Sequence, residues 1–556
     1  MNRIVYIRQP KISFMTKIKL TAVLVFVIIT ASFSQIPPYH TTIFDSTGTT
    51  GYYFLVPTRL TTPNAGFHSQ LVLDRFGNVV YYKSLGTLTN SPDFKVQPDG
   101  RISYYRNQQF YLLDSTFTIV DSVSCKNGIT TDSHDFQVLQ NGNFLLLGYE
   151  TIIMDLSAYA WFKPTGAHGS TSAAVKCNVI QELDINKNVV FEWHCKDYFA
   201  FADVDSVWLS NPFTVDWTHC NAVELDDDGN ILLSSRHFNE IIKINRTDST
   251  IMWRLGGVQN DFTFLNDTTP FYGQHDIRRI ANGNITLFDN GFRVTAAPFH
   301  GCRAMEYQLD EINKTATAVW SYLYDSTMYS KATGDVQRLP NGNTLVNYGF
   351  INSPNNITFV VVDSMKNKKL QVAFNDTMSS YRSFNFQQLP WLFNRPQLSC
   401  IDSVGTYYLD AGAGYASYIW NDGSTNRFIP ITSADTFSVF VPYGGDGGFI
   451  SSEKFIVTNL TDPCGLNTGV SAIDMGEGVR VYPNPAMEKL TINCKQSALN
   501  SVSIYNLLGE MEFDVQLSSA NATHLTEIDL HSMSQGIYFI QVSTTGKTFI
   551  RKFVKN

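Results

Sequence analysis

The sequence predicts an all-β chain whose largest part is a β-propeller, and three observations carry that prediction. Charged residues are 16% of the 556 residues while aromatic residues reach 13%, against roughly 25% charged in an average soluble domain. This composition excludes disorder and coiled coil. A strand, a polar turn ending in glycine and a second strand recur through the first two thirds of the chain, which is the mark of a repeat architecture. Beyond the N-terminus no apolar run approaches the roughly 18 residues of a membrane-crossing helix. Lys and Arg number 41 against 49 Asp and Glu, a net charge of -8 with no basic run, so a nucleic-acid partner is excluded. Eight cysteines occur without a CxxC pair or a Cys/His cluster of zinc-finger spacing, and length alone suggests about three or four domains.

At the N-terminus Lys17 and Lys19 precede the apolar run Leu20 to Ile29 and the small residues Ser32-Phe33-Ser34. That order of charge, short apolar core and cleavage-type residues reads as a secretory signal over residues 1–34, with Met15 an alternative start. An exported chain meets an oxidising compartment, where cysteines can pair.

Residues 35–395 carry the repeat. It appears as Val96-Gln97-Pro98-Asp99-Gly100-Arg101-Ile102 and again around Gly142, Gly229, Gly283 and Gly342, with Asn-Gly or Asp-Gly at each turn. These dipeptides supply the positive φ of a hairpin. Between them lies a second hairpin with an aromatic exit, at Trp193, Trp253 and Trp320, three side chains expected in the core. Two hairpins make a four-stranded sheet, and a ring of such sheets is a propeller. The glycines are spaced by 42, 87, 54 and 59 residues, the 87 spanning a loop from Tyr149 to Cys177. With the earlier Asp74-Arg75-Phe76-Gly77 turn, the count predicts a six-bladed β-propeller; five or seven blades also fit, and a β-helix would need shorter, more regular repeats.

After Pro390-Trp391-Leu392-Phe393-Asn394-Arg395-Pro396 the character of the chain changes, as at a linker. Residues 396–465 hold short β segments around Tyr407, Trp420 and Phe437, flanked by Cys400 and Cys464. They resemble immunoglobulin-like or PKD-like modules and predict a β-sandwich that these two cysteines could close. Residues 470–556 carry Val481-Tyr482-Pro483-Asn484-Pro485, then Val502 to Gly509, then Gly536 to Val542 and a basic end. Together these blocks resemble the C-terminal sorting domain of the type IX secretion system. The resemblance implies a small β-sandwich, the type IX secretion machinery as a partner, and a product that is secreted or at the cell surface with no stable membrane span.

The chemistry lies at one position of the repeat. His134 is eight residues before Gly142, His275 eight before Gly283, and His219 ten before Gly229, whose turn is lengthened by Asp226-Asp227-Asp228. Equivalent positions on different blades ring the axis, so the three imidazoles meet at one mouth of the channel. Arg236, seven residues after Gly229, should neighbour His219 across the hairpin. Three histidines could also hold a metal with an open position, but a permanently charged guanidinium opposes a divalent ion. His and Arg without a carboxylate favour an anion, and argue against a glycosidase-type carboxylate pair. His237, by strand alternation, should point to the opposite face.

Asp216-Trp217-Thr218-His219-Cys220-Asn221, Ile231 to His237, Ile251 to Gly257, Gln274-His275-Asp276 and Leu287 to Gly291 resemble the blocks of PAPS-independent aryl-sulfate sulfotransferases. The similarity spans about residues 40 to 390. It implies a six-bladed propeller that moves a sulfuryl group from a phenolic sulfate donor to a phenol acceptor by a ping-pong route through a sulfohistidine, with no cofactor and no metal. Carried onto this chain it makes His275 the nucleophile, with His134, His219 and Arg236 gripping the sulfate. Asn221 and Asn290 are candidate substrate contacts, and Tyr149 a candidate aromatic wall. The competing expectation is a surface propeller that binds sulfated or carboxylated glycans without turnover.

Overall fold

The glycine turns form as their dipeptides require. In a computed structural model of the protein, Gly100, Gly142, Gly229, Gly283 and Gly342 all sit at φ of 82 to 85°, and each N–H donates to the carbonyl three residues back, for example Gly142 to Leu139 at 2.9 Å. This is the three-residue hairpin with a left-handed glycine. The structure describes residues 36–59, 67–87, 93–161, 166–291, 300–351, 357–375, 378–403, 405–460, 463–464, 479–483, 486–494, 499–506, 511–516, 525–544 and 548–555. The secretory signal expected over 1–34 lies outside them. Among the described residues no helix is long and apolar enough to cross a membrane.

The chain is all-β. Five successive antiparallel sheets begin on the strands Lys95–Val96, Thr130–Val138, Cys220–Leu225, His275–Arg279 and Asp335–Arg338, each followed outward by the next three strands in sequence. A sixth sheet closes the ring: its first strand, Met378–Phe386, pairs with Tyr52–Arg59 from the start of the chain, followed by Phe67–Asp74 and Val79–Thr87. Apolar clusters fill the space between each pair of neighbouring sheets. Phe110, Phe136 and Phe144 meet between the first and second, and Trp193, Val223 and Leu233 between the second and third. Leu232, Trp253 and Leu287 continue the series, as do Phe288 with Val346, Tyr53 with Phe359 and Phe54 with Ile102. Trp193 and Trp253 are buried as expected, whereas Trp320 is half-buried with the Arg338 guanidinium 4.0 Å over its ring. The stretch 149–177, expected as a loop, is strand at both ends: Phe144–Met154 and Ala173–Leu183 pair along their whole length. Ile152, Met154, Val175 and Cys177 alternate onto the core there, which is what extends the hairpin.

Residues 396–465 pack as part of the same unit, which runs to residue 465. Phe449 and Ile450 of the strand Gly448–Ser451 pair with Tyr82 and Tyr81, so the outer edge of the sixth sheet continues through Val439–Tyr443 to Ile419–Trp420. An unpaired sheet edge invites association, and this addition covers one. Leu409, Trp420, Ile429 and Val439 form the segment's own core, and Cys400 and Cys464 are joined in a disulfide. The second unit, from 466, has a three-stranded and a four-stranded sheet closed over Leu490, Ile492, Val502, Ile540 and Phe553.

Candidate active site

Three bulges set the site. The strands that carry His134 and His275, and the strand that starts just after His219, slip register against their hairpin partners between Leu146 and Gly148, between His275 and Arg278, and between Cys220 and Ala222. A bulge bends its strand and re-aims the side chains beside it. His219 and Asp276 take φ of 44 and 60°, a left-handed conformation that costs on the order of 1 kcal/mol or more for such residues. The result is a ring of imidazoles. His134 and His219 lie edge to face with centroids 5.1 Å apart, and the Tyr381 ring is 5.8 Å from His134.

His275 is 2% exposed and its tautomer follows from its neighbours. Asn290 Nδ2 donates to Ser330 Oγ at 3.0 Å and to the Thr333 carbonyl at 2.9 Å, so Asn290 Oδ1 is left as an acceptor, 2.8 Å from His275 Nδ1. The Gly273 carbonyl is a second acceptor at 3.1 Å. The proton therefore sits on Nδ1 and the lone pair on Nε2. That lone pair accepts the Thr333 N–H at 3.1 Å, presented by a β-branched residue at φ 66°. Burial, then the charge of Arg236, holds the His275 pKa well below the usual imidazole value. At neutral pH His275 is an uncharged base.

The other two histidines are backed by carboxylates. His219 Nδ1 donates to Asp216 Oδ2 at 2.6 Å, and His134 Nδ1 bonds Asp132 Oδ1 in the same sense. Burial lowers the His219 pKa against the pull of Asp216. Asp132 is held at about 2 and Asp216 lower still, both against the upward push of burial, by their imidazole partners. Each carboxylate fixes the proton on Nδ1 and stabilises the imidazolium whenever an anion arrives.

Arg236 is buried yet makes no ion pair among the described residues. One guanidinium NH2 donates to the Lys331 carbonyl at 2.6 Å and the other lies 3.1 Å from His237 Nε2, while its Nε has no partner. Trp208 lies 4.0 Å beneath the guanidinium. Burial brings its pKa down to about 10, which leaves it charged. A buried cation with a spare N–H is a ready anion receptor.

Arg236 does neighbour His219, its N–H donating to the His219 carbonyl at 3.1 Å. His237 departs from expectation: its ring stacks on His219 at 4.5 Å and on Trp208 at 4.8 Å. Residues 236–239 are the turn joining the strands Ile231–Ser235 and Glu240–Ile244, so strand alternation does not govern them. Asn221 is wholly buried and donates to the Gln274 carbonyl at 2.8 Å, tying the His219 and His275 sheets together. Asn290 is likewise buried and serves His275. Tyr149 pairs with Thr130 and Asn178, its face covered by the Lys176 ammonium at 3.9 Å. Sequence reasoning missed Asp132, Asp216, Trp208, Thr333 and Tyr381. An aspartate two or three residues before each of two histidines was a readable signal. Asp216, His219 and His237 place ligand atoms within 4.8 Å of one another, a set that could take a cation, but Arg236 sits against His237 and its fixed charge opposes one.

One layer below, the repeat builds something different. Asp93, Asp135, Asp276 and Asp335 each stand seven residues before a turn glycine, and Arg382 of the closing strand reaches among them. Its guanidinium is 3.2 Å from Asp276, 3.3 Å from Asp135 and 3.5 Å from Asp93. Lys95 and Arg278 each bond Asp135 at 2.9 Å.

The profile of the arylsulfotransferase (ASST) family matches residues 40–387, which takes in every sheet of the ring and all the residues above. The chain belongs to the arylsulfotransferase family. A secretion system C-terminal sorting domain matches residues 480–556, so this arylsulfotransferase-family chain is addressed to the secretion machinery and is secreted or at the cell surface. No curated protein matches it. Among solved structures, a protein of unknown function from Bacteroides caccae is similar at 11% identity and TM-score 0.36, over 60% of this chain and 98% of that one. A catalytically inactive virginiamycin B lyase from Staphylococcus aureus, with quinupristin, gives 10% and 0.28 over 66% and 96%. A protein from Lactobacillus plantarum gives 8% and 0.31 over 70% and 92%.

Proposed function

We propose that the chain transfers a sulfuryl group from a phenolic sulfate ester to a phenol, without PAPS, through a covalent sulfohistidine on His275. The observation that carries this reading is the division of labour among the three imidazoles. His275 is backed by an amide and the other two by carboxylates. An amide partner orients the ring without favouring its cation, so His275 keeps a nucleophilic lone pair. A carboxylate partner favours the cation, so His134 and His219 suit proton transfer and oxyanion binding.

In the first half-reaction His275 Nε2 attacks sulfur and the bond from sulfur to the aryl oxygen breaks. An Asp-backed imidazolium gives its Nε2 proton to the departing phenolate. Arg236 receives the non-bridging oxygens, and the Thr333 N–H, released from Nε2, donates to the transferred group. In the second half-reaction the acceptor phenol returns its proton to the same imidazole, its oxygen attacks sulfur, and the N–S bond breaks. The enzyme is restored with its protons unchanged.

The test is release of 4-nitrophenol from 4-nitrophenyl sulfate with phenol as acceptor and no PAPS. Turnover that disappears in His275→Ala is expected. Folded protein that turns over no member of a phenol panel would overturn the proposal, and in that case retention of a sulfated glycan dependent on Arg236 but not on His275 marks the chain as a binding protein.

A further inference from the structure

A cavity of about 570 Å³ opens beside His237, lined by Trp208, Lys176, Ser210, Asn211, Asp216 and His237 among others. It adjoins the site through three of its lining residues: Asp216 holds His219, and the Trp208 indole runs from beneath Arg236 to the face of His237. An indole wall leading away from the anion receptor suits a single aromatic ring, and the volume falls within the range of small-molecule sites.

Lys176 is the unexpected lining residue. Its backbone is fixed on both sides, paired with Thr151 and with Asp216, and its carbonyl accepts the Trp217 N–H at 3.0 Å. Its ammonium makes no ion pair or hydrogen bond among the described residues; its contact is the Tyr149 ring at 3.9 Å. Lys95, Lys196 and Lys243, by contrast, each bond a carboxylate. Asp132 and Asp216, the carboxylates within electrostatic range of Lys176, are engaged by His134 and His219 instead. The sulfuryl group already has Arg236 and two imidazoles, so Lys176 is a surplus cation displaced along the cavity.

Resting on the sulfotransferase reading, we propose that this cavity is the aryl subsite and that Lys176 selects phenols, and their sulfate esters, that carry an acidic substituent on the ring's far side. Donor and acceptor aryl groups occupy it in turn. Tyr149 is then a positioning residue that holds the ammonium, not a wall against the substrate.

The experiment compares 3-(4-hydroxyphenyl)propionate with its methyl ester, as acceptors and in equilibrium binding followed by tryptophan fluorescence. One charge-assisted hydrogen bond predicts a preference for the acid of about tenfold or more in kcat/KM and in affinity. That ratio should fall to near one in Lys176→Met and return in Lys176→Arg. Equal values for acid and ester in the native protein, or a preference that survives Lys176→Met, would overturn the proposal. The binding arm needs no turnover, so absence of transfer to every phenol counts against the sulfotransferase reading, while an acid preference in binding would still support the subsite. A 4-hydroxyphenylethanesulfonate arm tells a general anion preference, with the same ratio, from one confined to carboxylates.

Discussion

Arg236 and Arg382 lie in adjacent layers of the propeller and are treated oppositely by their surroundings. Arg382 faces three aspartates within 3.5 Å, and its pKa is driven well up by them despite burial. Arg236 has no carboxylate in contact among the described residues, and burial lowers its pKa. The lower layer is a self-neutralising plug that holds sheets to one another; the upper layer holds a cation that no carboxylate among the described residues neutralises. The same repeat builds both, since the histidines and aspartates are chain neighbours at His134-Asp135 and His275-Asp276, sorted to different layers by the bulges.

This contrast can be broken most forcefully by removing each arginine. Arg382→Met leaves buried Asp93, Asp135 and Asp276 with only Lys95 and Arg278 to neutralise them and should cost about 3–5 kcal/mol of stability, read from urea unfolding. Arg236→Met should leave stability within about 1 kcal/mol, since a buried cation without a carboxylate partner offsets much of its own removal, while abolishing sulfuryl transfer. Equal destabilisation by the two variants would erase the distinction.

The amide-versus-carboxylate division sharpens next. In Asn290→Asp the new carboxylate favours the His275 cation and raises its pKa. The acidic limb of kcat/KM should move up, and the rate at neutral pH should fall by about tenfold or more. The native enzyme should hold its rate as pH falls below about 6.5, because its His275 is depressed. An unchanged profile would mean that Asn290 does not set the protonation of His275.

Stability should follow the same groups. His219, His237 and His275 are all depressed by burial, so the unfolded chain binds protons that the folded one refuses. Stability is full above the unfolded value of about 6.5 and declines as pH falls from there toward the folded values. Urea midpoints taken across that window test the sign, and a midpoint that rises on acidification would contradict it. The smallest effect is expected at Thr333→Gly, which relieves a positive φ while keeping the N–H that faces His275. Stability should change by no more than about 1 kcal/mol and transfer should persist.

The glycine turns made much of this legible. A turn with a left-handed glycine fixes hairpin register, so counting back from Gly142, Gly229 and Gly283 located His134, His219 and His275, and the paired strand located Arg236. The same count at offset seven would have found the aspartate plug. Tyr381 was out of reach because its hairpin partner, Tyr52–Arg59, lies at the other end of the chain and no turn glycine follows it. Thr333 acts through its backbone, which no residue type announces. His237 was misjudged because the strand ends one residue before Arg236, and the strand at the two ends of 149–177 because outward apolar residues such as Ile153 break the alternation. The pairing of residues 448–451 with the sixth sheet is a long-range contact that local pattern does not encode.

The division among the histidines makes one intermediate the centre of the account. Protein mixed with 4-nitrophenyl sulfate in the absence of any acceptor, quenched under alkaline conditions and digested, should carry one sulfuryl group on the peptide containing His275, lost when phenol is added before the quench. A burst of 4-nitrophenol with no modified His275 peptide, or the group found on His134 or His219, would contradict it.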